Sequence, residues 1–190
     1  MKVLITQALP EECTEIVLPD AEIRRVYTSI GKVMASYRLS EAIFHYNPDI
    51  VLNVGTAGTL SHQVGDIILC TEFIDRDMQR IKHLGIDYKV SMDTVPDKTP
   101  WNWNASLRGI CNTGDSFVTE PEALEGDAVD MEAYAQALVC KERNIPFMSV
   151  KYITDIIGQI SVKHWQEKLA EADKALCHYF QSITLKNKEL

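Results

Sequence analysis

Short apolar runs alternate with amphipathic stretches along most of the chain. Lys2 to Thr6 is apolar enough for a first strand, and after a polar, proline-punctuated stretch Glu22 to Ser29 reads as a second. Beyond Gly31, residues Ala35, Leu39, Ala42, Ile43 and Tyr46 recur at helical spacing, and Asn47, Pro48 and Asp49 stop that helix. Asp49 to Val54 is a near-continuous apolar run, the kind buried on both faces in the middle of a parallel sheet. It leads into a glycine turn, Gly55, Thr56, Ala57 and Gly58. Further strands are predicted at Asp66 to Phe73, Leu107 to Asn112, Ala128 to Met131 and Phe147 to Ile153. Between the last two, Met131, Tyr134, Ala135, Leu138 and Val139 mark the apolar face of a helix that ends near Asn144. Ser161 is placed to cap a final helix carrying Val162, Trp165, Leu169, Ala172, Leu176 and Phe180 on its inner face. Only Arg76 to Ser106, with the tryptophans of WNWN, lacks a clear period. So long an irregular stretch is usually functional or mobile. Strands alternating with helices predict an α/β protein with a mostly parallel sheet.

The 190 residues suit one domain spanning 1–190 with a substantial core. A net charge of −8 argues against a nucleic-acid binder that works by neutralising phosphates. No apolar run approaches the length of a membrane span. The N-terminus passes directly into a strand-like segment without a signal-peptide pattern. The five cysteines (Cys13, Cys70, Cys111, Cys140 and Cys177) are widely spread and form no CxxC pair. They read as buried free thiols in a reducing cytoplasm rather than as zinc ligands or disulfides.

In sheets of this class ligands bind beyond the carboxyl ends of the strands. That rule gathers Glu11 and Glu12 after the first strand, GTAG after the Asp49 strand, and TGDSF after the Leu107 strand. It adds Asp130, Met131 and Glu132 after the Ala128 strand, and Thr154 with Asp155 after the Phe147 strand. Asp130 and Glu132 admit two readings, a binding site or a helix N-terminus that favours negative charge. The histidines are scattered, and there is no HExxH, no GxxxxGK[ST] and no GxGxxG. A metalloprotease, a Walker-type NTPase and a dinucleotide enzyme are therefore disfavoured.

The set VLNVGTAGTL, TGDSF, AVDMEAYAQA and VKYITD resembles the nucleoside phosphorylase and nucleosidase superfamily, in the right order over most of the chain. Within it the likeness is greatest to 5′-methylthioadenosine/S-adenosylhomocysteine nucleosidases. The resemblance implies a three-layer α/β/α sandwich around a twisted, mostly parallel, partly barrel-like mixed sheet, assembled as a homodimer. It implies a phosphate-independent hydrolase that releases adenine from a 5′-modified nucleoside and needs neither metal nor cofactor. Glu132 would accept the ribose hydroxyls, Met131 would pack on the ribose, and Asp130 would support them. Asp155, beside Thr154, would protonate the leaving purine. Phe117 would stack on the base, and the backbone of Val118 would read its edge. Glu12 would activate the water, with Glu11 as the alternative and Thr56 and Lys151 nearby. A lysine in the apolar FMSVKYI strand needs a carboxylate partner, and Glu12 is the natural candidate.

The chain also departs from the family pattern. The segment between the first strand and Ser29–Lys32 is short, Gln7 and Thr59 replace glycines, and Arg76 stands where histidine is commoner. Arg76–Ser106, expected to line the 5′-substituent pocket and the dimer contact, is divergent. Three alternatives remain: a phosphorylase, a futalosine-type hydrolase and a nucleoside-binding relative without activity. A phosphorylase needs clustered arginines, whereas Arg24 and Arg25 are adjacent in a strand and point to opposite faces.

Overall fold

The apolar runs do pair into one large sheet, and several extend further than their composition suggests. The computed structural model describes residues 1–105, 107–120, 124–158 and 162–187, with the backbone alone at 162–166. Its strands are β1 (Lys2–Gln7), β2 (Glu22–Tyr27), β3 (Ile50–Thr59), β4 (Ile67–Asp75), β5 (Lys89–Ser91), β6 (Trp101–Asn102), β7 (Leu107–Thr113), β8 (Ala128–Asp130), β9 (Phe147–Ile156) and β10 (Thr184–Leu185). Its helices are α1 (Lys32–Tyr46), α2 (Arg76–Gln79), α3 (Val95–Lys98), α4 (Ala133–Glu142) and α5 (Val162–Gln181).

Strand pairing gives the sheet its partly closed shape. β3 pairs with β9, β9 with β4, β4 with β7 and β7 with β8, and β8 returns to β3. Five strands thus close on themselves, while β1 and β2 continue the sheet from β3 and β5 extends it from β4. Pairing is parallel at β1–β2, β1–β3, β3–β9, β4–β7 and β7–β8, so the sheet is mixed and mostly parallel. Alternation along the strands feeds two separate cores. Val3, Ile5, Leu52 and Val54 join Leu176 and Phe180 of α5 on one side. Leu4, Val51, Phe73 and Phe147 join Leu39 and Ile43 of α1 and Ala137 and Cys140 of α4 on the other. Two apolar faces need two helical layers, which makes the fold an α/β/α sandwich.

Some expectations need correction. GTAG is not a turn: β3 runs through it to Thr59, and β9 likewise runs through Thr154 and Asp155. The face of α4 is also rotated. The helix begins after Glu132, so Ala133, Ala137 and Cys140 point inward, and Leu138 is 38% exposed. Arg76–Ser106 is less irregular than its composition implies. Its described part supplies α2, β5, α3 and β6, and buried Trp101 packs into the α5-side core with its indole N–H on the Pro19 carbonyl at 2.8 Å. The Ser161 cap and the side chains of Val162 and Trp165 lie outside the described residues. Arg24 and Arg25 do diverge: Arg24 lies over the Tyr46 ring, and Arg25 donates to the Thr14 carbonyl at 2.6 Å.

Candidate active site

After β1 a single turn of 3₁₀ helix, Pro10–Glu12, leaves Glu11 exposed and turns Glu12 inward, where it is buried. Both Glu12 oxygens are held. Oε1 accepts the amide and hydroxyl of Thr56 at 2.9 and 3.0 Å, and Oε2 accepts the amides of Ala8 and Leu9 at 3.0 and 3.1 Å. Gln7 fastens the same loop by donating its amide to the Cys13 carbonyl at 2.9 Å.

The two glycines of GTAG serve this arrangement by having no side chain. A Cβ on Gly55 would stand 2.7 Å from Glu12 Oε1, and one on Gly58 would stand 2.9 Å from Asp155 Oδ2. Each glycine makes room for one acid. The β3–β9 register pairs Ala57 with Ile153 and Gly58 with Asp155, so Thr154 is an extra residue in β9. Such bulges re-aim side chains. Here Asp155 is buried beside Gly58, and its Oδ1 accepts the Thr154 hydroxyl at 2.7 Å. Burial raises the Asp155 pKa above the usual carboxylate range, although the Thr154 hydroxyl opposes the shift.

Lys151 is only 1% exposed, and its partner is not Glu12. Its ammonium lies 2.8 Å from Asp130 Oδ2. That oxygen also accepts the Ala133 amide at 2.9 Å, while Oδ1 accepts the Thr113 hydroxyl. The helix-terminus reading therefore holds for Asp130, which caps the start of α4 as well as neutralising Lys151. Burial opposes both charges, and their mutual attraction outweighs it: the Lys151 pKa is raised and the Asp130 pKa lowered. Lys151 does not itself line the cavity described below.

Glu132 behaves differently. It makes no cap bond to α4, and its Oε1 instead accepts the Gly31 amide at 2.9 Å across the site. Burial, with the Asp130 charge adding to it, pushes its carboxyl up to about 8. Glu12, Glu132, Asp155, Thr56, Phe117, Val118 and Met131 all line one cavity of about 310 Å³. Ile30, Val129 and Ile157 give it apolar walls. No Lys, Arg or His lines it among the described residues. Nothing from the described part of Arg76–Ser106 reaches it within one chain, contrary to expectation. Sequence reasoning did not single out Ile30 or the Gly31 amide; they lie in an aperiodic loop whose path depends on contacts a hundred residues away.

The family model described as "Phosphorylase superfamily" matches residues 14–184. The chain belongs to the phosphorylase superfamily. A 5′-methylthioadenosine/S-adenosylhomocysteine nucleosidase of Bacillus cytotoxicus is 30% identical, over 94% of this chain and 86% of the relative. In fold, this phosphorylase-superfamily chain is similar to a Helicobacter pylori nucleosidase of the same name solved with butyl-thio-DADMe-Immucillin-A. The TM-score is 0.79 at 21% identity, covering 95% of this chain and 96% of the other. A mutant futalosine hydrolase of Helicobacter pylori is nearly as similar, with a TM-score of 0.77 at 19% identity over 95% and 97% of the two chains.

Two stability tests follow from the buried charges. Lys151→Met leaves Asp130 without its counter-ion and should destabilise the fold by about 3–5 kcal/mol, whereas adding Asp130→Asn should restore much of the loss. Denaturant titration of the single and double variants reads this directly, and equal loss in both would exclude a charge effect. Glu132 keeps its proton in the folded chain over a range where the unfolded chain has lost it. Stability should therefore fall as pH rises from about 4.5 to about 8. Glu132→Gln should remove that slope and be more stable than the parent at pH 8, by on the order of a few kcal/mol. Parallel pH–stability curves for the two proteins would show that Glu132 does not titrate in this way.

Proposed function

We infer that this protein hydrolyses the N-glycosidic bond of a 5′-modified adenine nucleoside of the methylthioadenosine/S-adenosylhomocysteine type, releasing adenine. The observation that carries the reading is four acids, each held differently, around one apolar-walled cavity that no cation lines among the described residues. A phosphorylase needs cationic groups to bind phosphate, and a dianion beside Glu12 would be repelled. The similar relatives are nucleosidases, which supports the reading.

The chemistry follows from the environments. Asp155, whose pKa burial raises, donates a proton to N7 of adenine as the C–N bond stretches. Glu132 accepts the two ribose hydroxyls. Those donors favour its ionised form, and the resulting charge stabilises the oxocarbenium-like transition state. Glu12 orients a water and takes its proton, with Thr56 fixing the carboxylate. Phe117, 38% exposed at the cavity, stacks on the purine, while Val118 reads its edge and Met131 packs on the sugar. Thr154 orients Asp155, and Lys151 acts from below through Asp130.

The test is base release from methylthioadenosine, followed by chromatography with and without phosphate. Turnover should be the same in both, and ribose 1-phosphate as product would make the protein a phosphorylase. Asp155→Asn can still hydrogen-bond to N7 but cannot transfer a proton. It should bind substrate nearly normally and lose about a hundred- to ten-thousandfold in turnover. A substrate whose leaving group departs without protonation should recover much of that rate, and full activity on the adenine nucleoside would place the acid elsewhere.

A homodimer in the cytoplasm completes the proposal. α1 carries Val33, Tyr37 and Phe44 outward, 75, 63 and 79% exposed, at spacings that place them along one side of the helix. An apolar stripe of this kind suits burial against a second copy. Phe44→Glu should shift sedimentation from dimer to monomer, and an unchanged sedimentation coefficient would remove this face from the interface.

A further inference from the structure

Cys13 and Cys177 are 164 residues apart in sequence, yet their sulfurs lie 3.8 Å apart. Cys13 is in the loop immediately after Glu12, and Cys177 is on α5. One helical turn before Cys177, Asp173 lies on the same side of α5, and donor atoms of all three residues fall within 4.8 Å of one another. We propose that Cys13, Asp173 and Cys177 form a binding site for a zinc-type divalent cation that clips the Glu12 loop to α5.

Geometry and donor chemistry support a metal. Two metal–sulfur bonds of about 2.3 Å at a tetrahedral angle set their sulfurs about 3.8 Å apart. That is the separation found here. A disulfide would require the sulfurs to close to about 2.0 Å. Cys177 Sγ is 3.3 Å from Asp173 Oδ1, near the sulfur–oxygen edge of the same polyhedron. Two thiolates and a carboxylate form a donor set suited to zinc.

The surroundings already brace these ligands. Asp173 Oδ1 accepts the amide and hydroxyl of Thr14 at 2.6 and 2.9 Å, and the Glu15 amide points at Cys177 Sγ from 3.4 Å. Arg25 donates to the Thr14 and Cys13 carbonyls at 2.6 and 3.3 Å, bringing a positive charge beside a site whose ligands sum to three negative charges. Outer contacts of this kind orient ligands and tune affinity. The Glu15 carbonyl, 3.4 Å from Cys13 Sγ, is a further oxygen donor next to the pair. Binding would release the two thiol protons to solvent, with nothing oxidised or reduced.

The site is separate from the cavity and holds none of its reacting groups, so it stands whether or not the nucleosidase reading does. Its effect would be mechanical. A cation joining Cys13 to α5 restrains the loop that presents Glu12, and it stabilises the folded chain by mass action.

The test uses the full chain, thiol-reduced, stripped with chelator and kept anaerobic, titrated first with Co²⁺ and then with Zn²⁺. One equivalent of Co²⁺ should produce thiolate charge-transfer absorption and the strong visible bands of a tetrahedral ion. Zn²⁺ should bleach both, and the unfolding temperature should rise. Cys177→Ser, at a partly exposed helix position, should keep the fold and weaken binding at least about tenfold, as should Asp173→Asn. Three results would overturn the site: no stoichiometric uptake by the folded protein, uptake unchanged in the Cys13→Ser/Cys177→Ser double variant, or weak six-coordinate spectra. Loss of two protons' mass under mild oxidant, in a protein that takes up no Co²⁺ when reduced, would make the pair a disulfide site instead.

Discussion

The ion pair between Lys151 and Asp130, 2.8 Å long and almost wholly buried, sets the electrostatics of the pocket. One ammonium faces three acids, Asp130, Glu132 and Glu12, and it can fully neutralise only one of them. Asp130 takes that role and is held ionised. Glu132, two residues further on, then faces both burial and the Asp130 charge, and its proton is retained. Glu12 is fixed in place by four hydrogen-bond donors shared between its two oxygens. Asp155 has little solvent, and burial raises its pKa against the opposing pull of the Thr154 hydroxyl. Four carboxyl groups thereby stand in four different surroundings.

A strand that weakens itself with glycine needs a reason, because glycine adds backbone entropy to the unfolded chain and has no side chain to pack. β3 carries two, and each lies against an acid: Gly55 against Glu12 and Gly58 against Asp155. The closed ring of strands supplies the context. β9 is held by β3 on one side and β4 on the other, so the bulge at Thr154 can re-aim Asp155 without freeing the strand end. One wall of the cavity is thus built on strands, with Thr56 on β3 and Thr154 and Asp155 on β9, while Phe117, Val118, Met131 and Glu132 come from the connections between elements.

Glu12 is presented by the 3₁₀ turn after β1, and the segment that follows it is tied down from several directions. Gln7 holds the Cys13 carbonyl, Arg25 holds Thr14, and Asp173 of α5 receives both donors of Thr14. These contacts fix the path of the segment between β1 and Gly31. They lie beside the two thiols, whose sulfurs are 3.8 Å apart.

Much of the architecture was legible in the chain itself. Apolar runs bounded by turn residues located most of the main strands, and helical spacing located α1 and much of α5, because burial on one face imposes a period that depends only on local geometry. The acids beyond strand ends, together with VLNVGTAGTL, TGDSF, DMEA and TD, led to the cavity residues for the same reason: strand ends converge in this class of sheet. Pairing across the fold was not legible. Lys151 requires some acid, but only the assembled sheet selects Asp130 over Glu12. GTAG reads as a turn until β9 lies beside it and its glycines prove to be room for carboxylates. The face of α4, the inward turn of Glu12 and the approach of Cys13 to Cys177 likewise depend on contacts between distant segments. Local periodicity records which side of an element is buried; which buried group meets which is decided only when the elements pack.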